Sequence, residues 1–560
     1  MLSISIPKFC TETYRLAYSL LFLGLSLHAS TDPHPWIQYE AERAESNAKV
    51  IGPSREFHSL AAEASNRSYL LLDNPEKWVE FTVDQAANGL VLRYSIPDAP
   101  TGGGLQAELN WWVNGQLQRP LIVTSKFAWV YGHYPWSNAP REGEARRFFD
   151  ESDFKIAQLA PGDRIRFAIS TEKPADWLAL DFVELEQIEP PLPQPDDSVN
   201  IGHYGAVPYD GINDRAALLA AIKAAKEEEA TVWIPEGTFE LEGPRIEIGG
   251  VTIRGAGIWH SRLSGEAAKF EGAGETLHFA DLGIFGDIDY RDNQSPDNAF
   301  NGNFGQGSTF SRLWIEHVKC AFWTLKGTDG LILRDSRIRN VMADGLNFCD
   351  GTSRSTVESC HIRNTGDDAL ATWSPLGEWS SRTACVENRF IGNLIEQPWH
   401  ANGIGIYGGA GHAAISNTVR DTVHSGAGVL VSSGFESIPL QGTLLVEDNH
   451  ISSTGGDCYI GEDVGGLWFH AKDSDVDAII IARNNTVIDS AASGISLHGP
   501  KKFHDLQITN NRIEKTAGVG LHIWPSAGGK LQLSRNDWFD LGGARIQNDA
   551  STNIHIVDDL

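Results

Sequence analysis

From residue 338 onward the chain repeats itself. A short apolar strand recurs at Ile338, Ile362, Phe390, Val419, Ile451, Val487, Ile513 and Trp538, in steps of 24, 28, 29, 32, 36, 26 and 25 residues. Six of these eight positions carry an asparagine two places earlier: Asn388, Asn417, Asn449, Asn485, Asn511 and Asn536. Self-similarity at such a period marks a solenoid. Stacked asparagine side chains can hydrogen-bond along the stack at the ~4.8 Å spacing of neighbouring strands. The uneven steps place insertions in the turns, where functional groups concentrate. The pattern predicts a right-handed parallel β-helix of roughly ten coils across residues 199–560.

The start of this region supports that expectation. The segment Val199-Asn-Ile-Gly-His-Tyr-Gly-Ala-Val-Pro-Tyr-Asp-Gly-Ile-Asn-Asp214 precedes a helix pattern from Arg215 to Glu229, with apolar Ala216, Leu218, Leu219, Ile222 and Ala225. Val232-Trp-Ile-Pro-Glu-Gly-Thr-Phe239 follows. The order resembles the opening of the pectate-lyase and polygalacturonase superfamily. The resemblance implies an aspartate-capped helix plugging the first coil, whose open sheet edge would otherwise invite aggregation.

Residues 33–188 read differently. Alternating strands at Trp78–Val83, Leu90–Ile96, Asp163–Ile169 and Leu178–Leu185 are separated by turn residues such as Pro100-Thr-Gly-Gly-Gly104, which predicts an all-β sandwich. Tyr39-Glu-Ala-Glu42, Trp78-Val-Glu-Phe81 and Leu180-Asp-Phe-Val-Glu184 resemble carbohydrate-binding module families 6 and 35. That resemblance implies a structural Ca²⁺ held by Glu40, Glu42 and Asp181, whose hard oxygens suit the ion. Residues 189–198, with four prolines between Glu189 and Asp197, read as a stiff exposed linker. At the other end, Lys8 and Arg15 precede an apolar run, Leu16 to Leu27. This run is too short for a membrane span and fits a signal peptide over residues 1–29, hence a secreted or periplasmic protein. Beyond Cys10, five cysteines remain, and their spacings fit no zinc pattern. They allow at most two disulfides, or a scatter of buried thiols.

The repeat frame also locates candidate chemistry. In four coils the residue eight after the register position is apolar (Leu346, Leu370, Ile495 and Leu521), and Gly or Ala precedes each. Two coils carry Ala492-Ser493 and Gly518-Val519 just before that pair, but two others carry Ala343-Asp344 and Asp367-Asp368. Asp344 and Asp368 therefore hold equivalent places on neighbouring coils, with Asp367 adjacent. Three clustered carboxylates disfavour joint ionisation, so at least one pKa should rise. Strand alternation would send Asp367 and Asp368 to opposite faces; both can act only at a bend, which Gly366 permits. Paired carboxylates of this kind serve glycoside hydrolysis, where inverting enzymes separate acid and base by ~6.5–9.5 Å. Asn347, Trp373, Trp379, Trp399, His400 and Tyr407 are placed to contact a sugar through apolar faces and polar tips.

The segments Ala343-Asp-Gly-Leu-Asn347, Gly366-Asp-Asp-Ala-Leu-Ala-Thr-Trp-Ser374 and Asn402-Gly-Ile-Gly-Ile-Tyr-Gly-Gly409 resemble glycoside hydrolase family 87, the α-1,3-glucanases and mycodextranases. The resemblance implies inverting hydrolysis of α-1,3-glucosidic bonds in α-1,3-glucan or nigeran. It implies Asp367 as general acid, with Asp344 and Asp368 holding the attacking water.

Rival readings are a polygalacturonase, a dextranase, a pectate lyase and a non-catalytic β-helix. A uronate polymer would need basic residues at the cleft, yet the chain has 45 Lys and Arg against 73 Asp and Glu, a net charge of −28. The same balance argues against nucleic acid and anionic membrane as partners. The polygalacturonase Gly-His-Gly turn has only a faint echo in His424-Ser425-Gly426. A lyase would need a catalytic Arg beside Ca²⁺, for which Arg354, Arg363 and Arg382 are the available residues. The resemblance implies a neutral polysaccharide, an α-glucan, as partner; a dextranase or another neutral α-glucanase stays open, since the three carboxylates alone do not name the linkage.

Overall fold

The computed structural model describes residues 34–424, 426–458, 461–550 and 554–559. The expected signal peptide and Cys10 lie outside the described residues.

Two six-stranded antiparallel sheets form the N-terminal sandwich. One runs in the order Asp150–Leu159, Ala87–Ser95, Leu178–Glu186, Tyr69–Leu72, Lys49–Ile51, with Trp36–Glu40 also on Leu178–Glu186. The other centres on Val79–Thr82, Arg164–Ile169 and Gln106–Val113. Alternating apolar residues such as Leu90, Leu92, Phe167 and Val183 fill the space between them. Residues 189–197 are mostly exposed, and the Leu192 amide ties them to the Ala256 carbonyl at 2.8 Å.

The rest of the chain is a parallel β-helix. One 12-stranded sheet runs along it, and a 24-stranded sheet zigzags between two further strand stacks. Twelve strands in one stack exceed the roughly ten coils expected. The helix Arg215–Glu228 covers the first coil and buries Ala217, Leu218, Ala221, Ile222 and Ala225. The buried stripe thus differs from the expected one: Ala216 and Leu219 are exposed. Asp214 does not cap the helix with its side chain; Oδ1 accepts from the Val207 amide at 3.0 Å instead.

The asparagine ladder is real but its register differs at one rung. Ile362 pairs with Ile395, not Phe390, which stacks on Val357 in the other strand stack. The ladder residue is accordingly Asn393 rather than Asn388. From Asn393 the side-chain amides run Asn393, Asn417, Asn449, Asn485, Asn511, Asn536, each Nδ2 donating to the next Oδ1 at 2.9–3.0 Å. The Asn388 amide donates instead to the Thr352 carbonyl and the Thr372 hydroxyl. Asn388 and Asn393 each precede one of two successive strands of the same coil, Arg389–Ile391 and Leu394–Glu396, and either fits the sequence pattern.

The sandwich is welded to the β-helix by buried charge. Arg339 and Arg363 occupy equivalent places on adjacent coils, both fully buried. Arg339 bridges Glu151 at 2.9 Å and Glu184 at 2.8 Å, and Arg363 bridges the same two glutamates at 2.7 Å each. Cys320, Cys349, Cys360 and Cys385 are buried thiols. No helix among the described residues is long and apolar enough to cross a membrane.

Candidate active site

Strands Leu346–Cys349, Leu370–Trp373 and Ile404–Tyr407 are consecutive neighbours in the 12-stranded sheet. Leu346 pairs with Leu370, and Leu370 with Ile404. The residues two places earlier, Asp344, Asp368 and Asn402, therefore form consecutive rungs. Asp367 and Asp368 lie in a bend between His361–Thr365 and Leu370–Trp373, so strand alternation does not separate them. Gly366 is needed there for closeness, not for an unusual φ: a Cβ would stand 2.2 Å from the Met342 carbonyl oxygen.

One carboxylate oxygen from each of Asp344, Asp367 and Asp368 lies within 4.8 Å of the others. That is shorter than the separation expected of an inverting pair, because the carboxylates sit on adjacent rungs and adjacent residues. Asp344 and Asp368 are buried, while the Asp367 side chain is 26% exposed. Burial, then the charges of Asp367 and Asp368, push Asp344 well above the usual carboxylate range, although Arg291 and the Asn347 amide pull it down. Burial and the Asp367 charge raise Asp368 to about 7 against three donors. Those donors are the Asn402 amide N–H at 2.9 Å, Asn402 Nδ2 at 2.8 Å and the Tyr407 hydroxyl at 2.6 Å. Arg291 supplies the positive charge of the cluster: Nη1 donates to Asp367 Oδ2 at 2.8 Å and to the Gly366 carbonyl at 3.1 Å.

The candidate sugar contacts divide. Trp373 is half-buried, with Nε1 donating to the Phe435 carbonyl, and its ring lies 5.4 Å from that of Trp379, which is 59% exposed. These rings remain open to a ligand. His400 is half-buried, its Nδ1 is buried without a hydrogen-bond partner, and burial lowers its pKa, so the ring is neutral. Asn347 donates to Asp344 Oδ2 at 3.3 Å and leaves its own Oδ1 without a partner. Tyr407 is buried and serves Asp368. Trp399 is a correction: it is 1% exposed and packs against Trp136, Met342 and Val130, so no sugar can reach its ring.

Asn402, the first residue of the third motif segment, and Arg291 carry no role assigned from sequence. Asn402 stands in the same frame as the aspartates and was detectable there. Arg291 carries no periodic mark; only the fold brings it to Asp367.

The metal set in the sandwich is also corrected in part. Asp181 is fully buried against Arg93, and both its oxygens accept from the Ser65 amide. With its oxygens engaged this way, it does not stand as an open ligand. Glu40 Oε2 and Glu42 Oε2 are buried without partners. Burial, then Asp181 and Glu42, raise Glu40 to about 8. Orphaned, charge-strained oxygens of this kind fit a hard cation.

Two of the three candidate lyase arginines are engaged elsewhere. Arg363 is consumed in the interdomain network, and Arg354 is ion-paired with Asp329.

Comparison with known proteins agrees with this geometry. The α-1,3-glucanase catalytic domain D1 family matches residues 33–188, and the α-1,3-glucanase catalytic domain D2 family matches residues 215–523. Among solved structures, the catalytic unit of a thermostable family 87 α-1,3-glucanase from Streptomyces thermodiastaticus strain HF3-3 is 29% identical, with TM-score 0.85 over 94% of this chain and 96% of that one. The Agl-KA catalytic domain is 28% identical, with TM-score 0.86 over 94% and 98%. A family 87 α-1,3-glucanase catalytic domain in complex with nigerose shares the fold at 22% identity, with TM-score 0.79 over 94% and 99%. No curated protein matches the chain. With more than half its length matched by the D2 family alone, the chain belongs to the α-1,3-glucanases of glycoside hydrolase family 87 and is a glycoside hydrolase of α-1,3-glucan.

Proposed function

We propose that the Asp344, Asp367 and Asp368 cluster hydrolyses α-1,3-glucosidic bonds with inversion. Asp367 delivers a proton to the leaving oxygen, and Asp344 and Asp368 hold the attacking water. The observation that carries this reading is the convergence of three carboxylate oxygens within 4.8 Å on adjacent rungs. The fold does not require such a convergence, and it is costly to ionise completely. Related domains bind nigerose and tetrasaccharides, which supports an α-1,3-linked glucan as substrate.

Asp367 is the member most open to solvent, and so best placed for a glycosidic oxygen entering from the cleft. Burial and the charges of Asp367 and Asp368 hold Asp344, whose carboxyl has an amide donor at 3.3 Å, well above the usual carboxylate range, which suits it to store the cluster's proton. Acid catalysis by Asp367 then requires that proton to pass between oxygens close enough for one bridging water. Inversion rests on the family resemblance and is read directly from the product anomer.

Each Asp→Asn variant keeps its shape and loses proton chemistry, so kcat should fall at least about a hundredfold, within the ~10²–10⁴-fold range of acid–base catalysis. A glucoside with an activated leaving group separates the roles. It needs no acid, so it should restore Asp367→Asn and leave Asp344→Asn and Asp368→Asn impaired. The β anomer should appear first by NMR. Wild-type rates in Asp367→Asn and Asp344→Asn would refute the site, and an initial α product would refute inversion.

Two further assignments complete the reading. Glu40 and Glu42 are proposed to hold a structural Ca²⁺, because each keeps a buried oxygen without a partner. Export is proposed from the basic and apolar pattern of residues 1–29, and processing of that segment on secretion tests it.

A further inference from the structure

The sandwich does more than lean on the β-helix. Its segment around Tyr131–Ser137 is closed by paired backbone hydrogen bonds, Tyr131 N to Ser137 O at 2.7 Å and Ser137 N to Tyr131 O at 3.0 Å. Within it Trp136 adopts φ of 71°, a left-handed conformation that a bulky side chain takes only when its surroundings over-determine it. What holds it is the β-helix: its ring lies 4.9 Å from Trp399 and packs with Met342. Met342 is two residues before Asp344, and Trp399 lies against Gly366, next to Asp367. The loop is therefore seated on the two chain segments that present the catalytic carboxylates.

The loop leaves His133 and Tyr134 exposed. Tyr134 is 52% exposed, and its ring lies 6.0 Å from that of His400. The guanidinium of Arg291 lies 4.8 Å from the ring centroid, while the same guanidinium holds Asp367. Asn293 ties the assembly together, accepting from Arg291 Nε at 2.8 Å and donating to the Tyr134 hydroxyl at 3.2 Å. An exposed tyrosine ring, one cation away from a catalytic carboxylate and beside the orphaned Nδ1 of His400, suits the apolar face of a sugar.

We propose that the N-terminal sandwich completes the active site, with Tyr134 contacting the glucosyl unit beside the scissile bond and Arg291 acting as the positioning residue that fixes Asp367. This rests on the α-1,3-glucan hydrolysis proposed above. The sandwich then contributes to substrate affinity through Tyr134, while Arg291 of the β-helix, packed against the Tyr134 ring, sets carboxylate geometry.

The test is steady-state hydrolysis of α-1,3-linked glucose oligomers by the full chain. Tyr134→Ala should raise KM about five- to tenfold, the scale of one lost aromatic contact, with kcat changed less. Tyr134→Phe keeps the ring and should stay within about twofold of wild type in KM on that same scale. Arg291→Lys keeps the charge but loses the fork that grips Asp367 and the Gly366 carbonyl; kcat should fall with KM preserved. A wild-type KM in Tyr134→Ala, or equal impairment in the Phe and Ala variants, overturns the contact. A wild-type kcat in Arg291→Lys overturns the positioning role. A wild-type chain that leaves the oligomers intact overturns the functional reading and this inference together, which distinguishes that failure from the others.

Discussion

The Tyr407 hydroxyl donates to Oδ2 of Asp368 across 2.6 Å, linking the last residue of one strand to a carboxylate on the preceding rung. That hydrogen bond is one of three that hold Asp368 down to about 7 against burial and the Asp367 charge. As the residue that draws a proton from water, Asp368 works only when ionised, so kcat/KM should rise with pH through about 7. Tyr407→Phe removes one favourable interaction with the charged form and moves that limb to higher pH, by on the order of one unit. Activity at alkaline pH should largely recover. An unmoved limb in the pH–rate profile would show that Asp368 is not the titrating base.

Arg363 lies fully buried between Glu151 and Glu184 of the sandwich. Removing one partner of a buried charge cluster leaves the rest uncompensated, so Arg363→Met should cost ~3–5 kcal/mol of stability in denaturant unfolding. Burial alone would raise Glu151, but Arg363 and Arg339 hold it down to about 2. A depressed carboxylate contributes stability above its unfolded pKa and loses it as pH falls toward the folded one. The wild type should therefore weaken between about pH 4.5 and pH 2 more steeply than the variant. Parallel acid-unfolding curves for the two proteins would contradict the network's role.

Asn449 sits mid-ladder. Its Nδ2 donates to Asn485 Oδ1 and the Ala414 carbonyl, both at 2.9 Å, and its Oδ1 accepts from Asn417. Asn449→Ala leaves buried groups on both neighbouring coils without partners, at ~1–3 kcal/mol for each. Chemical denaturation should show a loss of at least about 2 kcal/mol on that scale. Asn536→Ala, at the end of the ladder, should lose less. Equal losses at the two positions would mean that the ladder does not act as a stack.

Chelator treatment addresses the metal. If Glu40 and Glu42 hold Ca²⁺, a calcium chelator lowers the Tm of the wild-type chain and added Ca²⁺ restores it, through mass action on the folded state. The Glu40→Gln variant should lose that response. A Tm indifferent to chelator in the wild type removes the metal from the account.

Much of this architecture is written locally. The recurrence of Asn-x-apolar strands dictates a solenoid, because each coil buries its apolar stripe only against its neighbours. The alignment of Asp344 with Asp368 follows from the same period, since both stand two places before a core leucine of the 12-stranded sheet. Asn402 was equally legible, two places before Ile404. Where two successive strands of one coil each follow an asparagine, five residues apart, the pattern picks Asn388, and only backbone pairing shows that Asn393 is the rung.

What the sequence by itself determined is thus the periodic part: the parallel β-helix, the sandwich ahead of it and the pair of aspartates on adjacent coils. Local spacing carries those features, because strand pairing between coils copies a residue's position from one turn to the next. Only the tertiary structure decided the rest. Trp399 reads in sequence as a sugar platform, but Trp136 packs against it. Asp181 reads in sequence as a calcium ligand, but Arg93, 88 residues away, pairs with it. Arg291 reaches Asp367 across 76 residues, and Tyr134 reaches the same guanidinium from another domain. Contacts made between elements far apart in the chain leave no period behind. The carboxylates were therefore readable from sequence, whereas the groups that set their charge and hold their substrate were not.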